Sequence, residues 1–451
     1  MGHSCVGKRA VVIGGGLAGL SAAVALTDAG WQVTVLERGN TLGGRARSFT
    51  DPATGDVVDN GQHVFLGCYE QTLKFLRRLG TADQVKFQPS LEVAFAEPGR
   101  GMALLRCPRW SAPWHLVAGL AGLGTLSWRD KWAMGRVLRA AAGAAKDRAA
   151  TDRLTVEAWL TALGQTPRSR QAFWDPLTIA ALNEDPHRAS ALGLAQVLAR
   201  MFGGDWRAAR LGLASVGLSD LYTEQARQVI EQAGGVVRTN TAVAGIEGAD
   251  GQASGVRLAN GERLTADAYV SAVPPQECVR LLPPALLERD ATLAKARQFT
   301  ASPIVSINLW FDRPVTDALF LGLIGARVQW VFNRQRLLMH QPSRHLALVI
   351  SAAAALVEQS NDVLVAMALE DLRACVPAVR QAQLLRSQVV REHHATVTLP
   401  PGSDAWRPGP TTAWPNLYMA GDWTATGLPA TIESAVASGH AAASKMVAAL
   451  L

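Results

Sequence analysis

The chain has 451 residues, 49% hydrophobic and 18% charged, a balance that suits a globular protein large enough for two domains and excludes a disordered or repeat-built one. Its net charge of +7 comes from dispersed basic residues with no recognition motif beside them, so it reads as a solvated face and no nucleic acid is expected. Five scattered cysteines, Cys5, Cys68, Cys107, Cys278 and Cys375, show no CxxC and no histidine cluster at ligand spacing, and predict neither a disulfide nor a metal site.

The first strand begins after about nine polar or small residues, which leaves no room for a signal peptide and points to the cytoplasm. Val11-Val12-Ile13 then runs into Gly14-Gly15-Gly16-Leu17-Ala18-Gly19, and Trp31 to Leu36 is a second apolar strand ending in Glu37. Strand, glycine turn, small-residue helix, strand and acid in register predict the βαβ unit that holds a dinucleotide. Gly14 permits the tight turn, Gly16 lets backbone approach a pyrophosphate, and Gly19 lets the helix pack close on the sheet. The helix start at Leu17 and Ala18 offers free N–H groups to the phosphates. Glu37, with Arg38 beside it, would take the ribose hydroxyls, and an acid there disfavours a 2′-phosphate.

Gly43-Gly44-Arg45 follows directly. Two glycines can bring backbone against a cofactor, and the Arg45 guanidinium can reach its phosphates as a bidentate donor, a second clamp that NAD enzymes do not need. Asp59-Asn60-Gly61-Gln62-His63 comes next and leads to Tyr69. Further on, Trp110 to Trp128 is 19 residues without a formal charge; Trp110, Trp114, Trp128 and Trp132 fall in or beside it, flanked by Arg106, Arg109, Arg129 and Lys131. Two readings stay open for this segment: a buried helical hairpin, or a monotopic membrane contact over 104–132. Pro113, His115 and the glycines argue against a spanning helix.

Residues 100–205 read mainly as helices, with Arg129 to Arg148 amphipathic and a cap at Thr155. Asp175-Pro176 and Asn183-Glu184-Asp185-Pro186 read as turns. Tyr222 to Gly234 is helical, Val236 to Ile246 alternates as one strand, Asn260-Gly261 marks a hairpin, and Ala268 to Val273 is a buried strand stopped by Pro274. Ile304 to Trp310 and Leu346 to Ile350 are further strands. Near the end, Leu417 to Ala420 is a strand closed by Gly421-Asp422, and Pro429-Ala430-Thr431 opens a helix. This second strand-to-helix junction can hold a ribityl chain and flavin ring while the first holds the ADP half, so the cofactor expected is FAD.

With GxGxxG, Gly-Gly-Arg and a late Gly-Asp in this order over nearly its whole length, the chain resembles the FAD-dependent amine oxidase and phytoene desaturase superfamily. The fold this implies is α/β, a Rossmann-type FAD-binding domain interleaved with an α+β substrate domain. Segments 1–95, 211–278 and 409–451 would form the FAD-binding domain, and 96–210 and 279–408 the substrate domain. Asp59 to His63, together with Asp175-Pro176-Leu177 and Leu182 to Asp185, resembles the hydroxysqualene dehydroxylase branch, also described as squalene-associated FAD-dependent desaturases. The resemblance places Gly61, Gln62 and His63 by the isoalloxazine, Val243 by the adenine, and Ala430 and Thr431 at the flavin end.

What the resemblance implies is reductive removal of an allylic hydroxyl from hydroxysqualene, giving squalene for hopanoid synthesis. Phytoene-type desaturation and amine oxidation are the alternatives. Dehydroxylation needs an acid for a poor leaving group; His63 comes first, because imidazole titrates near neutral pH, with Asp59, Tyr69, Glu184 and His187 behind it. His63 also fits a purely positioning role. Phe65, Trp174 and Trp423 could face an allylic cation. A squalene-like chain partitions into lipid, so peripheral attachment to the inner face of the cytoplasmic membrane is expected, and association with neighbouring pathway enzymes is compatible with that role.

Overall fold

The structure is a computed structural model that describes residues 7–338 and 344–450; Cys5 lies outside the described residues. Five short parallel strands form the nucleotide sheet: β1 (Arg9–Ile13), β2 (Gln32–Leu36), β3 (Val236–Arg238), β4 (Ala268–Ser271) and β5 (Leu417–Met419). Their order, β3-β2-β1-β4-β5, is the doubly wound one, which places its ligand beyond the carboxyl ends of the strands. β1 and β4 are almost wholly buried, which explains their continuous apolar runs. The helix Leu17–Asp28 crosses from β1 to β2 and packs on the C-terminal helix Ile432–Leu450. The approach is close because residue 439 is glycine: a Cβ there would meet the Ser21 hydroxyl oxygen at 2.1 Å.

A second sheet of seven strands carries the other half. Its order is Leu384–Val397, Ala301–Phe311, His345–Ile350, Trp330–Asn333, Phe320–Leu323, Glu92–Glu97 and Gly101–Arg106. Neighbours are antiparallel except Phe320–Leu323 beside Glu92–Glu97. Helices Trp128–Gly143 and Ala191–Phe202 pack on one side in a core that includes Leu105, Met134, Phe173 and Leu198.

The structure revises four local expectations. Residues 100–205 are not mainly helical from the start, since Gly101–Arg106 pairs with Glu92–Glu97. The amphipathic helix ends at Gly143, and the Asp147 side chain caps a separate short helix, Arg148–Asp152, by accepting from the Ala150 N–H. Asp175-Pro176 lies inside a continuous helical stretch, where the wide π turn Arg170–Trp174 passes into the α-helix Asp175–Leu182 and accommodates a proline with no N–H to donate. The single strand expected over Val236 to Ile246 is two, Val236–Arg238 and Val243–Ala249, in different sheets. Between them the chain folds around Glu37: Asn240, at φ 50°, donates its N–H to Gly39, and Thr241 donates to the Glu37 carbonyl.

Candidate active site

The glycine turn after β1 has the geometry its sequence calls for. Gly14 has φ 107°, and a Cβ on it would lie 2.6 Å from the Ala272 carbonyl oxygen. Gly19 stands behind the turn rather than in the cavity, since its Cβ would lie 1.9 Å from the Gly14 carbonyl oxygen. The helix start at Gly16 has no side-chain cap and no acid in its first turn, which leaves the N-terminal N–H groups to an anion. Glu37 is held in place by the N–H groups of Gly15 at 2.8 Å and Gly39 at 2.7 Å. Its carboxylate oxygens keep lone pairs for ribose hydroxyls.

The second glycine motif lies directly on the first. Gly43 donates its N–H to the Gly15 carbonyl at 2.9 Å, and a Cβ on Gly44 would be 3.2 Å from the Gly16 Cα. Arg45 does not point a free fork at phosphate: Nη2 is ion-paired with Asp422 at 2.7 Å and Nη1 reaches the Ala395 carbonyl at 3.3 Å. This pair ties the early Gly-Gly-Arg motif to the late Gly-Asp motif, and the nearby carboxylates hold the guanidinium pKa up against its burial. The glycine cradle, the uncapped helix end and the oriented acid fit the ADP half of FAD.

One cavity of about 700 Å³ joins both ends of the site. Gly14, Gly16, Leu17, Ala18, Glu37, Arg38, Gly43, Gly44 and Arg45 line one part of it, with Val243 beside them, and Gly61, Gln62, His63, Gly421, Asp422, Ala430 and Thr431 line its middle. Beyond, the wall is apolar: Phe95, Phe173, Leu177, Phe202, Phe320, Trp330 and Phe332. Of the aromatic residues singled out from the sequence, Trp423 lines the cavity. Phe65 and Trp174 do not; Phe65 sits in the core, and the Trp174 indole N–H donates to Gln165 at 2.7 Å.

The candidate acids separate. Asp59 lies outside the cavity, ion-paired at 2.8 Å with Arg334; both side chains are fully buried, and Asp59 also accepts from the Ser48 hydroxyl and the Leu218 N–H. Glu184 also faces away, accepting from Arg188 and from the Asp185 N–H. His187 is exposed and pairs with Asp185 and Glu157. His63 and Tyr69 do line the cavity. His63 Nδ1 lies 2.7 Å from the Gly61 carbonyl, so this nitrogen carries the proton, and burial lowers the pKa of the ring and favours the neutral form. That arrangement suits positioning better than proton donation. Burial raises the Tyr69 phenol pKa and keeps it un-ionised.

Sequence reasoning passed over Glu392, His394 and Thr396, which line the same cavity from the strand Leu384–Val397. Their alternate spacing is the signal that marks one face of a strand. Asn183, read as part of a turn, donates to Thr396 at 2.9 Å and to the Ser302 carbonyl at 3.1 Å from the cavity wall. Among the described residues no group of three or more His, Cys, Asp or Glu is gathered to hold a metal. Burial pushes the Cys107 and Cys278 thiols up to about 12 and Cys68 up to about 11.

On the outer side of the chamber wall the tryptophans are exposed: Trp110 by 57%, Trp114 by 63%, Trp128 by 66% and Trp132 by 83%. They sit on or beside the helices Trp114–Gly122 and Trp128–Gly143, so this segment is not a fully buried hairpin. No helix among the described residues is long and apolar enough to cross a membrane. The strand Gly101–Arg106 links this surface to the cavity, with Met102 and Leu104 exposed and Leu105 on the cavity wall.

The profile of the flavin containing amine oxidoreductase family matches residues 17–447. A hydroxysqualene dehydroxylase of Sinorhizobium fredii is 32% identical, with 97% of each chain covered. A 15-cis-phytoene desaturase of an Oncidium hybrid cultivar is 27% identical, over 97% of this chain and 77% of that one. Among solved structures, cyclohexylamine oxidase from Brevibacterium oxydans superposes with a TM-score of 0.73 at 19% identity, over 98% of this chain and 99% of that one. The chain belongs to the flavin containing amine oxidoreductase family and is an FAD-dependent oxidoreductase related to the hydroxysqualene dehydroxylases.

Proposed function

We propose that this protein is an FAD-dependent hydroxysqualene dehydroxylase, which replaces the allylic hydroxyl of hydroxysqualene by hydrogen and yields squalene for hopanoid synthesis. The observation that carries this reading is the continuous cavity, polar beside the glycine motifs and apolar beyond them. Bound FAD, in its reduced form, supplies hydride. The protein's residues supply the rest. Gly14, Gly16, Gly43, Gly44 and Glu37 grip the ADP half, while Gly61 to His63, Asp422, Ala430 and Thr431 bound the flavin end. Phe173, Leu177, Phe320 and Phe332 align the oily chain and exclude water, so that a carbocation is not captured by solvent. Aromatic faces along this wall stabilise positive charge on the allyl group.

The exposed tryptophans and the basic residues Arg109, Arg129 and Lys131 around them make the face through which such a chain enters from lipid. The protein would then sit peripherally on the inner face of the cytoplasmic membrane, where neighbouring pathway enzymes also meet their substrates. Sedimentation with anionic vesicles tests this part: the Trp114→Ser/Trp132→Ser double variant should lose most of the binding, and unchanged binding would reject this face. For the reaction, purified protein is incubated without oxygen with reduced FAD and hydroxysqualene. Squalene is the expected product. No squalene, with desaturation of phytoene or oxidation of an amine in air, would overturn the reading.

A further inference from the structure

Five carboxylates line the cavity: Glu37, Glu277, Glu392, Asp422 and Glu433. Four are committed elsewhere. Glu37 accepts two backbone N–H groups, Glu277 pairs with Arg280 at 2.6 Å, and Asp422 pairs with Arg45. Glu433 accepts from the N–H groups of Gln71 and Thr72 and from the Thr72 hydroxyl, at the start of the helix Glu70–Leu79. Glu392 differs. It lies near the Arg45 charge, but Arg45 is ion-paired with Asp422, and among the described residues the hydrogen-bond partner of Glu392 is a neutral amide, Nδ2 of Asn60 at 3.1 Å.

Asn60 is well placed to hold it. Its side chain is buried, its Oδ1 accepts the Arg47 N–H at 3.1 Å, and its Nδ2 also donates to the Arg45 carbonyl at 2.9 Å. The amide therefore has one orientation, and one oxygen of Glu392 is fixed by it while the other has no hydrogen-bond partner among the described residues.

The backbone supports the same placement. Ser302 lies opposite Thr396 and Ile304 opposite Glu392, so the chain from Glu392 to Thr396 bulges where Pro303 has no N–H to give to the ladder. Glu392 begins this bulge, and the carbonyl of Ala395 within it meets Arg45. A bulge beside a cavity re-aims side chains that a regular strand would point along the sheet normal.

We propose that Glu392 is the catalytic acid of the dehydroxylation, held toward the substrate hydroxyl by Asn60. The inference rests on the function proposed above. The Glu392 carboxyl gives its proton to the hydroxyl oxygen; the C–O bond breaks with both electrons leaving on oxygen, and water departs. The allylic carbon then takes hydride from reduced FAD, which is oxidised by two electrons, and Glu392 regains its proton from solvent.

The test uses the FAD-loaded enzyme and two substrates, hydroxysqualene and its acetate ester, whose leaving group departs without needing a strong proton donor. Glu392→Gln should lower kcat on the alcohol by roughly 10²–10⁴-fold, the usual loss for a general acid. Bound FAD, read by absorbance, and squalene binding, read by flavin fluorescence, should be unchanged, and the ester should be reduced at close to the wild-type rate. Equal losses on alcohol and ester, or no loss on either, would overturn the assignment, as would His394→Asn reproducing the ester-rescued pattern while Glu392→Gln does not. Asn60→Ala, which frees the carboxyl, should give a smaller loss with the same ester rescue; an equal loss on both substrates would count against Asn60 as the residue that positions the acid. Wild-type protein that makes no squalene from the alcohol would instead reject the parent reading.

Discussion

The two ends of the cavity are built in opposite ways. At the nucleotide end, contacts come from neighbours in sequence: Gly14 to Gly19, Glu37 and Gly43 to Arg45 meet within one βαβ unit and the loop that follows it. At the chamber end, Phe95, Phe173, Phe320 and Phe332 converge from strands and helices far apart in the chain. A phosphate demands backbone at close range, which few residue types permit, whereas a hydrocarbon accepts any wall of suitable volume. The first end is therefore intolerant of a methyl group, and the second tolerates changes until they fill the space.

Four substitutions or conditions probe that contrast, and the largest effect falls between the two ends. Asp59→Ala leaves Arg334 buried without its ion partner and should cost about 3–5 kcal/mol. A large fall in Tm, without a specific loss of turnover in the protein that remains folded, separates this structural carboxylate from an acid. At the nucleotide end, Gly19→Ala puts a methyl against the Gly14 carbonyl and should cost ~1–3 kcal/mol of stability and most of the bound FAD. Full retention of FAD absorbance would show that the turn has more freedom than its geometry allows.

At the chamber end Ala181 lines the cavity, and Ala181→Phe should keep FAD yet cut turnover of the long substrate by roughly tenfold or more, because the chain no longer reaches its working position. If FAD were lost as well, the two ends would not be separable. The mildest probe is pH. His440 packs on Phe75 with Nδ1 3.0 Å from Gln71 Oε1, and burial, aided by Lys74, drives it down to about 4. The unfolded chain binds that proton below about pH 6.5, so the stability due to this neutral ring is complete above 6.5 and lost as pH falls toward 4. His345, driven to about 3, acts in the same direction. Tm measured from pH 7 to pH 4 should fall, and His440→Gln should fall less steeply.

The contrast also explains what could be read from the sequence. The dinucleotide unit is local, so glycine spacing and a terminal acid were enough to expect it, and the strand order bears out that fold. Arg45 was expected on phosphate but pairs with Asp422, because a motif shows which residues approach a cofactor and not which of them meet first. Asp59 stood in the most distinctive string of the chain, yet its partner, Arg334, lies 275 positions away and converts a candidate acid into a buried strut. Glu392 gave no signal beyond strand alternation. Its position depends on pairing with Ile304 and on a bulge opposite Pro303, and both are long-range facts.

In the proposed reaction one cavity brings hydride from FAD to the carbon that loses oxygen. A single anaerobic turnover in D₂O tests it most directly, since the transferable hydrogen of reduced flavin exchanges with solvent. Squalene should carry one deuterium at the former carbinol carbon, with one equivalent of flavin oxidised. Squalene without deuterium, or flavin that stays reduced while hydroxysqualene is consumed, would contradict it.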